Sequence, residues 1–193
     1  MQDFGYVIEL DPAFVDAYLN RAGLLTDLGD LPGARRDVAA GLALDPANAQ
    51  LLAVQGQLHV AEGELAEARE AYSAALAADP EFAQAWALRG ELAYEEGDLA
   101  AAAADLQRAV QLSEDPGLRF NLAVAYQDAD RHGEALGLLD TVVAETDDPS
   151  ARLQRARSLQ ALGRRPEAVA DVRAAVEADP ELALPDEARD LLG

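Results

Sequence analysis

Three arginines stand at a spacing that invites chemistry. Arg21, Arg89 and Arg155 each precede an aspartate, Asp37, Asp105 and Asp171, by sixteen residues. A guanidinium presents five N–H donors in a fixed fork, so it either grips an anionic ligand or braces a carboxylate of its own chain. The sequence holds an internal comparison that separates the two. At the equivalent positions of two other segments the arginine is replaced by Gln55 or Leu122, and the aspartate is then replaced by Ala71 or Leu138. Arginine and aspartate come and go together, as a charge facing a helix seam requires of its partner. The expectation is three ion pairs, Arg21–Asp37, Arg89–Asp105 and Arg155–Asp171.

Catalysis finds little other material. The chain has no cysteine and only two histidines, which leaves nothing for a thiolate or histidine-based metal centre, and no cofactor is expected. His59 falls in a column with Leu25, Tyr126 and Leu159, which reads as a packed side chain rather than a base. Glu95 and Glu96 are adjacent on a helix and point in different directions, so they cannot face one substrate. There is no glycine-rich phosphate loop after a strand, and no nucleophile with a base beside it. The chain is therefore not expected to be an enzyme.

Composition narrows the partners. With 36 acidic and 15 basic residues the net charge is −21, which disfavours nucleic acid and anionic membrane. Half of the residues are hydrophobic but only 5% are aromatic, so the interior is mostly alanine, leucine and valine, good helix formers with small contact surfaces. No apolar run is long enough to span a bilayer, and "MQDFGYVIEL" lacks the order of a secretion signal, so the cytoplasm is the expected compartment. An alanine- and arginine-rich chain without lysine suggests a GC-rich bacterial source.

The elements that must position these groups are set by a repeat. Ala34, Ala68, Ala102, Ala135 and Ala168 are spaced 34, 34, 33 and 33 residues apart. Five residues before each stands Gly29, Gly63, Gly97, Asp130 or Gly163, a turn position. Twelve before each lies a second small column, Ala22, Gly56, Gly90, Ala123 and Ala156, and seven after each a third, Gly41, Ala75, Ala109, Val142 and Ala175. Small residues recurring on facing helices let two backbones approach. Larger columns fill the space between, among them Val38, Tyr72, Leu106, Leu139 and Val172. Aspartate-proline pairs at 45–46, 79–80, 115–116, 148–149 and 179–180 mark the boundaries, since Asp caps a helix and proline fits its first turn.

Stretches such as "AWALRGELAYEEGDLAAAAADLQRAVQL" and "FNLAVAYQDADRHGEAL" resemble the tetratricopeptide-repeat family, and five copies agree in register. The resemblance implies an all-α fold, an α-α superhelix (solenoid) of about five helix-turn-helix repeats in one domain over 1–193. The repeats are placed at 15–48, 49–82, 83–115, 116–148 and 149–182. Residues 1–12 read as the second helix of a partial repeat, and 183–193 as a capping helix. In copies four and five the Asp-Pro pair lies 19 residues before the column alanine instead of 22, which places the start of their first helices about a turn later. Unpaired apolar faces at the ends of a solenoid need covering, which makes a homo-oligomer through those ends an alternative outcome.

Family resemblance further implies that the first helices line a concave surface that binds peptide or protein segments. The first-helix columns then offer Asn20, Asp27, Gln57, Glu91, Tyr94, Glu95, Asn121, Gln127, Asp128, Gln154 and Arg157. Asn20, Asn121 and Gln154 share one column, and in peptide-binding members an asparagine there grips the ligand backbone. Amides bond a backbone in both directions, and they are equally at home solvated on a helix face; both readings stand. Leu19 and Gly23 occupy columns where a chaperone-tail clamp would want lysine and asparagine, so that function is not expected. The acids among the candidates favour a neutral or basic segment. Copy five is locally basic, with Arg152, Arg155, Arg157, Arg164, Arg165 and Arg173, and acids of copy four and the tail are expected to neutralise it. The function read from the sequence is thus a non-catalytic protein–protein interaction scaffold, with a structural or assembly module joined through the solenoid ends as the alternative.

Overall fold

A computed structural model describes residues 2–193; Met1 of the N-terminal half-repeat lies outside the described residues. Those residues form twelve α-helices and no strand. They are α1 (Gln2–Leu10), α2 (Val15–Asp27), α3 (Leu31–Leu44), α4 (Ala49–Glu62), α5 (Leu65–Ala78), α6 (Ala83–Glu95), α7 (Leu99–Leu112), α8 (Pro116–Asp128), α9 (His132–Thr146), α10 (Pro149–Ala161), α11 (Arg165–Ala178) and α12 (Asp186–Leu192). The chain divides into two compact units, Met1–Leu92 and Ala93–Gly193.

In the first unit α1 packs on α2, and α2–α3 and α4–α5 form antiparallel hairpins whose neighbours meet between α3 and α4. The core runs through Ala22, Leu25, Ala34, Val38, Leu51 and Leu58, then Ala68, Tyr72 and Leu92. In the second unit α7 packs on α8, α8–α9 and α10–α11 are hairpins, and α12 lies against α11 and α10. Its core joins Leu106, Ala123, Tyr126 and Leu139, then Ala156, Leu159, Val172 and Leu191. The small columns do what close packing asks of them. A Cβ added to Gly41 would stand 2.6 Å from Leu51 Cδ1, and one added to Gly56 would stand 2.3 Å from Tyr72 Cε1.

The turn column also has a physical cause. Gly29, Gly63, Gly97 and Gly163 adopt φ of 77°, 79°, 80° and 75°, the left-handed region that terminates a first helix. In copy four Asp130 takes the same place at φ 57° with a Cβ to accommodate. Asp130→Gly is therefore expected to raise the unfolding free energy by about 0.5–1 kcal/mol, read as a shift in denaturant midpoint at unchanged slope. An unchanged or lowered midpoint would refute this.

One expectation needs correcting. The first helices of copies four and five do not begin late. Val15, Ala49, Ala83, Pro116 and Pro149 each stand 19 positions before their column alanine. What moves is the proline. At 115–116 and 148–149 the aspartate is a true N-cap, accepting from Gly117 N at 2.8 Å and Ser150 N at 3.0 Å, with proline as the first helical residue. Asp45, Asp79 and Asp179 instead close the preceding second helix, and their carboxylates accept from the amide two residues on. That Asx turn takes three residues before the next first helix can start in copies two and three.

Candidate functional site

The arginine–aspartate spacing resolves into geometry within each unit. Arg21 Nε and Nη2 donate to the two Asp37 oxygens at 2.6 and 2.7 Å. Arg155 repeats the fork on Asp171 at 2.7 and 2.6 Å and adds Asp140 at 3.1 Å. Asp37 and Asp171 are only 5% and 6% exposed, so each carboxylate depends on its arginine. The hydrogen bonds to these carboxylates raise both guanidinium pKa values, against the opposing effect of burial. Arg89 lies in the first unit, where it donates to Ser73 Oγ at 3.1 Å and sits 4.9 Å over the Trp86 ring. Asp105, half-buried, lies in the second unit.

On the first-helix face of the second unit three of the sequence candidates meet. Tyr94 Oη donates to one oxygen of Asp128, and Arg157 Nη2 donates to the other at 2.8 Å. Tyr94 lies in the last turn of α6, Asp128 ends α8 and Arg157 lies in α10, so one carboxylate joins residues of three successive first helices. The arginine offsets the charge of Asp128. The hydrogen bond to Asp128 pushes the Tyr94 phenol above its ordinary value, and partial burial adds to the shift. A raised pKa contributes stability below the unfolded phenol value of about 10 and loses it as pH climbs through the folded value. The absorbance titration of wild type minus Tyr94→Phe is accordingly expected to show a phenol ionising above about 10, and a difference curve centred at or below that value would refute the bond.

Gln127 is a correction. It is 1% exposed, not offered on a face, and its Nε2 donates to the Gln154 carbonyl at 2.7 Å and Ser158 Oγ at 2.8 Å. The space comes from Ser158, which stands where Leu24, Leu58 and Leu92 stand in the first three copies. The amide oxygens of Gln127 and Gln154 are both buried without a donor. Gln154 and Arg157 also line a groove of about 590 Å³ between α10 and the 182–191 segment, with Leu153, Leu182 and Leu191. The tail residues of that groove escaped the sequence reading, although the apolar pair Ala188 and Leu191 already marked which side of α12 is buried.

In the first unit Asn20 and Asp27 are exposed and Gln57 and Glu91 half-buried. Asn20 Nδ2 donates to the Asp16 carbonyl one turn back at 2.7 Å. In the second unit Glu95 is exposed and Asn121 half-buried. Copy five is closed by acids. Arg152 pairs with Asp147, and Arg164 donates to Glu167 at 2.7 and 2.6 Å. His59, Glu62 and Glu64 bring donor atoms within 4.8 Å of one another, yet Arg35 pairs with Glu62 and lies 3.8 Å from Glu64, so the cluster is an ion network between α3 and the end of α4. Among the described residues no helix is long and apolar enough to cross a membrane.

Tandem antiparallel hairpins, small residues at their seams and a polar strip along successive first helices define an α-helical repeat protein of the solenoid class. Models of the tetratricopeptide repeat match residues 54–118, 93–159 and 149–170. The chain belongs to the tetratricopeptide-repeat family. Among solved structures it is similar to YrrB, a TPR protein with an unusual peptide-binding site (24% identity, TM-score 0.77, 92% of this chain and 93% of that one). It is also similar to MamA (24%, 0.74, 89% and 97%) and to PilF of Pseudomonas aeruginosa (22%, 0.79, 94% and 82%). At these identities the likeness is one of fold. No curated protein matches the sequence.

Proposed function

We propose that the protein is a non-catalytic scaffold that binds a peptide or partner-protein segment along its first-helix faces. The observation that carries this is the strip of Tyr94, Asp128 and Arg157, in which polar groups from three successive first helices are fixed in place before any ligand arrives. Fixed groups of both hydrogen-bonding senses suit an extended backbone. Proteins of this family are generally binding scaffolds, and YrrB is described by its peptide-binding site, which supports the same reading. The exposed Asp27 and Glu95, with a chain charge of −21, favour a neutral or basic segment, whereas Asp128 is already offset by Arg157. Heptapeptides selected by phage display on the immobilised protein test it. Binding is expected to weaken in the Asn20→Ala/Asn121→Ala variant and to persist in Arg36→Ala/Arg173→Ala, which alters second helices. Equal binding to both variants overturns the first-helix assignment.

A second reading rests on α1. Its Tyr6 and Leu10, one turn apart, are 62% and 68% exposed, as an apolar stripe that joins copies would be. Light scattering against concentration separates the two, because oligomers that disappear with Tyr6→Ser/Leu10→Ser would favour assembly.

A further inference from the structure

We infer that the groove between α10 and α12 seats a short extended peptide carrying a lysine or arginine next to an apolar residue; this rests on the scaffold reading above and names its ligand. The volume of about 590 Å³ falls within the roughly 300–1,000 Å³ of ordinary ligand sites. Its apolar wall, Leu153, Leu182 and Leu191, takes an aliphatic side chain. Gln154 and Arg157 stand three residues apart and share one face of α10. Arg157, whose side chain is partly exposed, gives one of its five N–H groups to Asp128. The remaining N–H groups of Arg157 suit the C=O of an extended peptide. The opposite rim fixes the charge. Glu187 lines the groove, is exposed and has no basic partner among the described residues, while Asp186 is held by Arg189 at 2.7 Å. With Arg157 already offset by Asp128, the unbalanced charge at the groove is negative, so it attracts an ammonium or guanidinium and repels a carboxylate.

Fluorescence anisotropy with two labelled, end-capped peptides, Leu-Lys-Leu-Lys and Leu-Glu-Leu-Glu, tests the assignment on the full chain. The lysine peptide is expected to bind saturably below about 1 mM and the glutamate peptide at least about tenfold more weakly. Ala183→Trp, at an exposed lining position, is expected to fill the groove and abolish binding, with circular dichroism melting confirming that the variant folds. Glu187→Lys is expected to narrow or reverse the preference between the peptides, which a purely structural role for Glu187 would not do. Absence of saturable binding, equal affinity for the two peptides, or binding that survives Ala183→Trp overturns the inference. If the lysine peptide survives Ala183→Trp but is lost in Asn20→Ala/Asn121→Ala, the groove assignment fails while the scaffold reading stands. If neither these peptides nor any phage-selected peptide binds, both fail.

Discussion

Replacing Arg155 with methionine is expected to lower the unfolding free energy by about 3 kcal/mol, whereas replacing Arg155 and Asp171 together with leucine returns it to within about 1 kcal/mol of wild type. Methionine keeps most of the aliphatic stem but strands a carboxylate that is 6% exposed. Asp171 would lose bonds of 2.6 and 2.7 Å and keep only Arg152, 3.8 Å away and already paired with Asp147. The converse change, Asp171→Ala, is expected to cost less, because the released guanidinium retains Asp140 at 3.1 Å and reaches water. The double variant works because copy four already carries it: Leu122 and Leu138 occupy the same two positions, packed against the core of the second unit. Denaturant unfolding orders the three. A double variant as unstable as Arg155→Met would mean that the seam of copy five, unlike that of copy four, has no room for two leucines.

The second large effect lies in the first unit. Gly56→Ala is expected to destabilise by about 2 kcal/mol, although alanine is the better helix former by about 1 kcal/mol. The new methyl would stand 2.3 and 2.6 Å from Tyr72 Cε1 and Cδ1, and Tyr72 is 2% exposed. The pair is a matter of shared size. Where the second-helix column holds Val38, Leu139 or Val172, the first-helix column holds Ala22, Ala123 or Ala156; the largest residue of that column, Tyr72, goes with glycine, although copy three also has a glycine, Gly90, with Leu106. Gly56→Ala combined with Tyr72→Leu recreates the pair of copy four and is expected to be more stable than the sum of the two single changes predicts, by at least about 1 kcal/mol. Strict additivity in thermal or denaturant melts would show that the two residues do not share this space.

Period and small-residue seams were legible in the sequence because each obeys a rule local to one repeat. The pairing of Arg21 with Asp37 and of Arg155 with Asp171 is of the same kind, since a buried charge must be answered within reach. What escaped depended on contacts between copies. Gln127 sits in a column that looks solvated, and only the Ser158 of the next copy, small where others hold leucine, gives it an interior to enter. The Asp-Pro pairs misled for a related reason. Aspartate serves a helix start and an Asx turn with the same carboxylate, and the spacing to the column alanine, not the dipeptide itself, tells which. The tail groove was hidden because its walls come from α10 and from a segment that has no counterpart in the repeat.

The Gln127 amide lends its hydrogens to a backbone carbonyl and a hydroxyl in the middle of α10. A helix that borrows donors from its neighbour cannot be peeled away alone. The seven-residue α12, ending in exposed residues, is the natural place for the array to fray. That fraying is expected to stop at α10, whose opening would break both hydrogen bonds from Gln127 and expose the apolar face of Ala156 and Leu159. Native-state hydrogen exchange along 149–161 therefore follows the clock of α8, not that of the tail, and the cap can come and go without loosening the repeat beneath it.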